Sequence, residues 1–189
     1  MGLLHDFCIL IPKSKARYAD FSDIRSIMKK VVLIMGVSGS GKSTVSKALS
    51  KRLSIPFLDA DDFHPKENIM KMSRGQALTD EDRWPWLAAI VEHLLNSHRE
   101  HFILACSALK VKYRDYLSQR LALSLVVLNI AEEDAISRLK GRKDHFMPSS
   151  LIKSQLDTLE VPKEAIIVDA NQDLADIVDF IVPHFQQKK

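Results

Sequence analysis

Apolar positions along the chain gather in five short runs: Val31 to Met35, Phe57 to Leu58, Phe102 to Cys106, Leu125 to Ile130 and Ala165 to Val168. Each is too short for a helix and is bounded by polar or turn-forming residues, the pattern of strands buried on both faces. Between the runs the apolar spacing turns helical. Val45, Ala48, Leu49 and Leu53 recur over Thr44 to Leu53, and Leu87, Ile90, Val91, Leu94 and Leu95 form one face of a longer helix. Thr79 is placed to cap that helix, with Asp82 three residues on completing an approximate capping box. Ser107 to Lys110 leads into a helix carrying Tyr113 and Arg114. Further helices start at Glu132, span Leu151 to Leu159, and close the chain over Leu174 to Phe185. Phe63 to Arg83, rich in polar and turn residues, reads as an irregular covering region with one short helix. Strands alternating with helices, without an internal repeat, predict an α/β fold with a doubly wound parallel sheet and helices on both faces. Residues 1–28 precede the first strand and are expected to form a flexible extension ahead of one domain at 29–189.

Composition changes this picture little. A chain of 189 residues with 46% apolar and 27% charged residues suits one globular domain. No apolar run approaches the roughly 18 residues of a membrane span, so no membrane partner is expected. Cys8 and Cys106 are far apart and lack metal-ligand spacing, which points to reduced thiols and a cytoplasmic location. The formal charge of +3 lies in residues 1–30, which hold six of the 27 basic and three of the 24 acidic side chains, leaving 21 of each for the rest. A neutral body argues against nucleic acid as a partner.

Chemistry enters at VVLIMGVSGSGKSTV, which fits the phosphate-binding pattern G-x-x-x-x-G-K-[ST] between a strand and a helix. Gly36, Gly39 and Gly41 let the backbone curl, so that N–H groups from Val37, Ser38, Ser40 and their neighbours through Thr44 point into one concavity at a helix N-terminus. Lys42 would reach the β- and γ-phosphates, and the Ser43 hydroxyl would ligate Mg²⁺. The second strand ends in Asp59-Ala60-Asp61-Asp62. These carboxylates suit either metal coordination and acceptance of a hydroxyl proton, or a solvated turn with an N-cap. Many phosphate-loop proteins end the third strand in a metal-binding aspartate. Cys106 and Ser107 stand there instead, so Asp59 or Asp61 must supply the carboxylate, with Cys106 a core residue. Trp84 and Trp86 read as packing residues. Arg83, at a helix start, is poorly placed for the dipole and suits an anionic ligand. Arg138, Lys140, Arg142 and Lys143 crowd around Gly141, as a solvated helix end or as a lid at about 141–148 closing over transferring phosphate.

FLDADDFHPKENIMKMSRGQALTDEDRWPWL, CSALKVKYRDYL and RLKGRKDHFMPSSLIKSQLDTLE, in this order, resemble the gluconokinase family of small phosphate-loop kinases over about residues 30 to 185. The resemblance implies a sheet of order 2-3-1-4-5 and ATP-dependent phosphorylation of D-gluconate at its 6-hydroxyl, with ATP and Mg²⁺ as cofactors and a homodimeric assembly. On that reading Asp61 orients or deprotonates the acceptor hydroxyl, and Asp59 lies beside it near metal and substrate. His64 bonds a sugar hydroxyl. Arg83, Lys110 and Arg114 are the candidates for gluconate's carboxylate, Arg83 favoured for its two-pronged geometry. Arg138 and Arg142 close on ATP, and Arg142 joins Lys42 in catalysis. Where the family usually has glycine between the aspartates, this chain has Ala60, whose methyl group is expected to restrict the backbone beside Asp61. The rival readings are a kinase of another small acid such as shikimate, and a nucleotide-dependent ATPase or switch without such an acceptor. The absence of the guanine-reading N-K-x-D pattern disfavours a GTPase switch.

Overall fold

In the computed structural model, which describes residues 28–141 and 151–185, five parallel strands are ordered β2-β3-β1-β4-β5, as expected. The strands are β1 (Lys30–Met35), β2 (Phe57–Asp59), β3 (His101–Ala105), β4 (Ala122–Asn129) and β5 (Ile166–Asp169). The helices are α1 (Lys42–Leu53), α2 (Lys66–Ser73), α3 (Asp80–Asn96), α4 (Val111–Ser118), α5 (Glu132–Lys140), α6 (Ile152–Thr158) and α7 (Leu174–Ile181), with 3₁₀ turns at Ala60–Phe63 and Val182–His184. The central strand β1 pairs with β3 (Val31 opposite Phe102) and with β4 (Val31 opposite Leu123). None of Val31 to Met35 is more than 8% exposed, which is why this strand reads as a continuous apolar run.

Its side chains alternate between two cores. Val32 and Ile34 join Val45 and Leu49 of α1 and Ile177 and Ile181 of α7 on one face. Val31 and Leu33 join Trp86, Leu87, Ile90 and Leu94 of α3 and Tyr113 and Leu117 of α4 on the other. The capping box at the start of α3 forms: Thr79 N–H donates to Asp82 Oδ2 (2.7 Å), and Asp82 N–H donates to Thr79 Oγ1 (3.3 Å). Inside the polar stretch 63–83 the one short helix is α2. Among the described residues no helix is long and apolar enough to cross a membrane.

Because every strand is parallel, the carboxyl ends all open on one side. The segments following β1, β2, β3 and β5 therefore converge there, where open α/β sheets bind ligands.

Candidate active site

After β1 the chain turns through Gly36, Gly39 and Gly41 at φ +145°, +84° and +93°. Close approach constrains two of them further. A Cβ on Gly36 would lie 2.8 Å from Leu128 O, and one on Gly39 would lie 2.5 Å from Ala135 O. The loop is thus pressed against the end of β4 and the body of α5, and Gly41 caps α1, directing that helix's free N–H groups into the loop. Lys42 Nζ donates to Val37 O (3.1 Å), so the ammonium lies across the concavity. Beside it a cleft of about 340 Å³ is lined by Gly41, Thr44, Arg138, Gln172 and Leu174, among others. Arg138 lies against the loop at Gly41, and its Nη2 donates to Ala170 O and Asn171 Oδ1, both at 2.8 Å. The 170–174 segment was not legible beforehand, since its residues carry no phosphate-binding pattern and reach the loop only through β5. The proposed lid at about 141–148, Arg142 included, lies outside the described residues beyond Gly141.

Asp59 joins the first two strand ends. Ser43 Oγ donates to Asp59 Oδ2 (2.5 Å), and Asp61 N–H donates to Asp59 Oδ1 (3.2 Å), capping the 3₁₀ turn. The N-cap and the hydroxyl–carboxylate pair are therefore one arrangement. Hard oxygen donors of this kind fit Mg²⁺, which takes one or two carboxylates and completes its shell with water and phosphate. Among the described residues there is no cluster of three or more His, Cys, Asp or Glu side chains able to hold a metal by itself, so the nucleotide would have to share such a site. Behind it, Cys106 is buried, and burial above all pushes its thiol up to about 12, making it inert packing.

Ala60 corrects an expectation. It does not adopt positive φ, its methyl group is fully buried against the α3 core, and its carbonyl accepts Trp86 Nε1–H at 2.7 Å. The methyl therefore packs without straining the turn next to Asp61.

His64 stacks on Trp86, with ring centroids 4.4 Å apart and planes 12° from parallel. Burial, helped by the Arg83 charge, lowers its pKa to about 4. The Asp61 carboxylate 3.9 Å away pulls the other way, but the buried ring has lost more hydration than a contact of that length returns, so the imidazole is neutral near pH 7.

Arg83 donates through Nη1 to Leu78 O (2.6 Å), Thr79 O (3.2 Å) and Tyr113 Oη (3.2 Å), with its guanidinium 5.4 Å from the Tyr113 ring centre. Its place at a helix start is thus compensated by carbonyls that it serves itself. Lys110 donates to Asp80 Oδ1 (3.0 Å), and Lys112 and Tyr113 Oη–H also donate to Asp80. The Lys112, Tyr113 and Lys110 bonds, in that order, hold the Asp80 carboxyl far below the usual range, while burial and the bond to Asp80 push the Tyr113 phenol up to about 12.

Arg114 departs from expectation. It is 6% exposed, and Nη1 donates to Ala108 O (2.9 Å) and Leu109 O (3.1 Å). Helical spacing turns it inward beside Tyr113, so it braces the segment after β3, where Ala108 adopts φ +40°, and does not stand on the acceptor wall. Sequence reasoning also missed Asp80, and Gln155 of α6, whose Oε1 accepts Ser38 N–H at 2.7 Å. Lys153, Ser154 and Gln155 all lie between Ile152 and Leu156, and nothing in their spacing singles out Gln155.

Sheet, loop and facing carboxylates define a phosphate-loop kinase. A family profile described as an AAA domain matches residues 31–162. The chain is 41% identical to a probable gluconokinase of Xenopus tropicalis over 179 residues (84% of this chain, 94% of the relative) and 41% identical to a gluconokinase of Gluconobacter oxydans over 163 residues (83% and 92%). Among solved structures, a gluconokinase from Sinorhizobium meliloti superposes with TM-score 0.71 at 47% identity, covering 80% of this chain and 89% of that one. A shikimate kinase from Aquifex aeolicus superposes with TM-score 0.57 at 21% identity, covering 81% and 94%, a likeness of fold alone. The chain belongs to the gluconokinase family, on the AAA-domain scaffold that the profile describes.

Proposed function

We propose that this chain transfers the γ-phosphoryl group of ATP to the 6-hydroxyl of D-gluconate, yielding 6-phospho-D-gluconate and ADP. The observation that supports it most is the meeting of two half-sites: a phosphate cradle with Lys42 and the Ser43–Asp59 pair, faced by Asp61, His64 and Arg83. Phosphoryl transfer asks for in-line positioning and for neutralisation of charge on the phosphoryl oxygens. Lys42 supplies a fixed cation at the loop. Ser43 and Asp59 would hold Mg²⁺, which when bound neutralises the β- and γ-oxygens.

Asp61 accepts the proton of the acceptor hydroxyl as the new P–O bond forms and the bond to the ADP oxygen breaks. His64, neutral, orients a hydroxyl of the polyol, accepting or donating without adding charge. Among the described residues the hydrogen bonds of Arg83 all run through Nη1, so Nε and Nη2 form the two-pronged edge that a carboxylate fits.

The test is a coupled assay of ADP release with ATP and Mg²⁺ against gluconate, shikimate, glucose and no acceptor. Release dependent on gluconate is expected. Equal release without acceptor overturns the kinase reading, and release with shikimate alone overturns the gluconate one. In the same assay Arg83→Ala raises the gluconate KM by about tenfold or more, the loss of a charge-assisted bond, and an unchanged KM removes Arg83 from the carboxylate.

A further inference from the structure

Helix α6 touches both halves of the site. Toward the donor side, Gln155 Oε1 accepts the N–H of Ser38, inside the loop whose N–H groups cradle phosphate. Toward the acceptor side, Glu160, just past the helix, donates its N–H to Leu109 O (2.8 Å), and its carboxylate accepts the N–H of Val111. Leu109 is one of the two residues whose carbonyls Arg114 braces, next to the strained Ala108. Gln155 and Ser154 also line, with Arg83, Leu78 and Leu109, a cavity of about 30 Å³, room for little more than a water. The segment 155–160 thus bonds the phosphate loop at one end and the acceptor segment at the other.

The chemistry of the contact matters as much as its place. An amide oxygen can hold a loop N–H beside a triphosphate without adding charge, whereas a carboxylate there would repel the phosphates. We propose that Gln155 is a positioning residue for phosphoryl transfer: it holds the phosphate loop at Ser38, and α6 with Glu160 carries that register to the acceptor segment Ser107 to Val111. Loss of the register leaves the nucleotide bound but lets water compete with the acceptor hydroxyl. The inference rests on the gluconate kinase reading, and gluconate-dependent turnover by the unaltered enzyme tests that reading by itself.

The experiment compares the full chain with Gln155→Ala and Gln155→Glu, recording ADP and 6-phosphogluconate in the same reaction and ATP affinity by equilibrium binding without gluconate. For Gln155→Ala the ratio of ADP to phosphorylated product rises above one and the gluconate KM rises by about tenfold, while ATP affinity changes by less than about threefold. Gln155→Glu keeps an oxygen for Ser38 yet weakens ATP binding by about tenfold through like charge. A brace with a merely structural role predicts the opposite: the ratio stays at one and the gluconate KM is unchanged. An unchanged ratio with an unchanged KM overturns the proposal. Should Gln155→Ala fail to fold, Gln155→Asn, whose shorter amide withdraws from Ser38 without adding charge, is read by the same ratio and gluconate KM, and parent-like values overturn the proposal.

Discussion

His64 offers a prediction whose size follows from the geometry. Its ring is packed flat on Trp86 and lies in the field of Arg83, and its pKa falls from 6.5 to about 4. The folded state therefore binds fewer protons than the unfolded chain between those two values. Stability from this group is fully present above the unfolded value and is lost as pH falls toward the folded one. Linkage over a shift from 6.5 to about 4 gives a loss of about 2 kcal/mol at about pH 5 relative to about pH 7.5, approaching about 3 kcal/mol below pH 4. Other groups titrate over the same range, so the measurement is a difference. Urea unfolding of the parent and of His64→Gln is followed from about pH 7.5 to about pH 5, and the gap between them narrows by about 2 kcal/mol as the parent alone loses this term. Parallel curves for the two proteins would refute the reasoning, as would a ring that titrates at or above 6.5 by NMR. The functional corollary is that no His64 ionisation shows in gluconate kcat/KM above about pH 5, because the ring is already neutral there.

Two further predictions concern the parts that position the site. Gly39→Ala sets a Cβ against the Ala135 carbonyl of α5 at 2.5 Å and demands φ +84° of an alanine, so the loop must shift as backbone. ATP affinity is expected to fall by about a hundredfold, consistent with a few kcal/mol of strain, and parent-like ATP binding would show that the loop tolerates the shift. Trp86→Phe removes the indole donor from the buried Ala60 carbonyl, at a cost of about 1–3 kcal/mol. For a chain of this size that corresponds to a Tm lower by roughly 2–12 °C, and a Tm within about a degree of the parent would mean that the carbonyl finds another donor.

What could be read before the structure was local or periodic. The strand runs, the capping box at Thr79 and Asp82, and the glycine loop each involve residues a few positions apart, whose geometry follows from φ/ψ limits and helical or strand period. The glycine loop was legible for that reason, and the family resemblance supplied the acceptor. The tertiary structure decided how side chains from distant elements are spent. Arg83 and Arg114 look alike as cations on helices, yet one lies beside Tyr113 and bonds the carbonyls of Leu78 and Thr79, and the other is buried on the carbonyls of Ala108 and Leu109. Asp80 became the hub of Lys110, Lys112 and Tyr113 across 30 or more residues, and Gln155 reached Ser38 across 117. Neither contact leaves a trace in spacing. A long-range hydrogen bond depends on where packing of the sheet brings two backbones, and only the folded chain sets that distance.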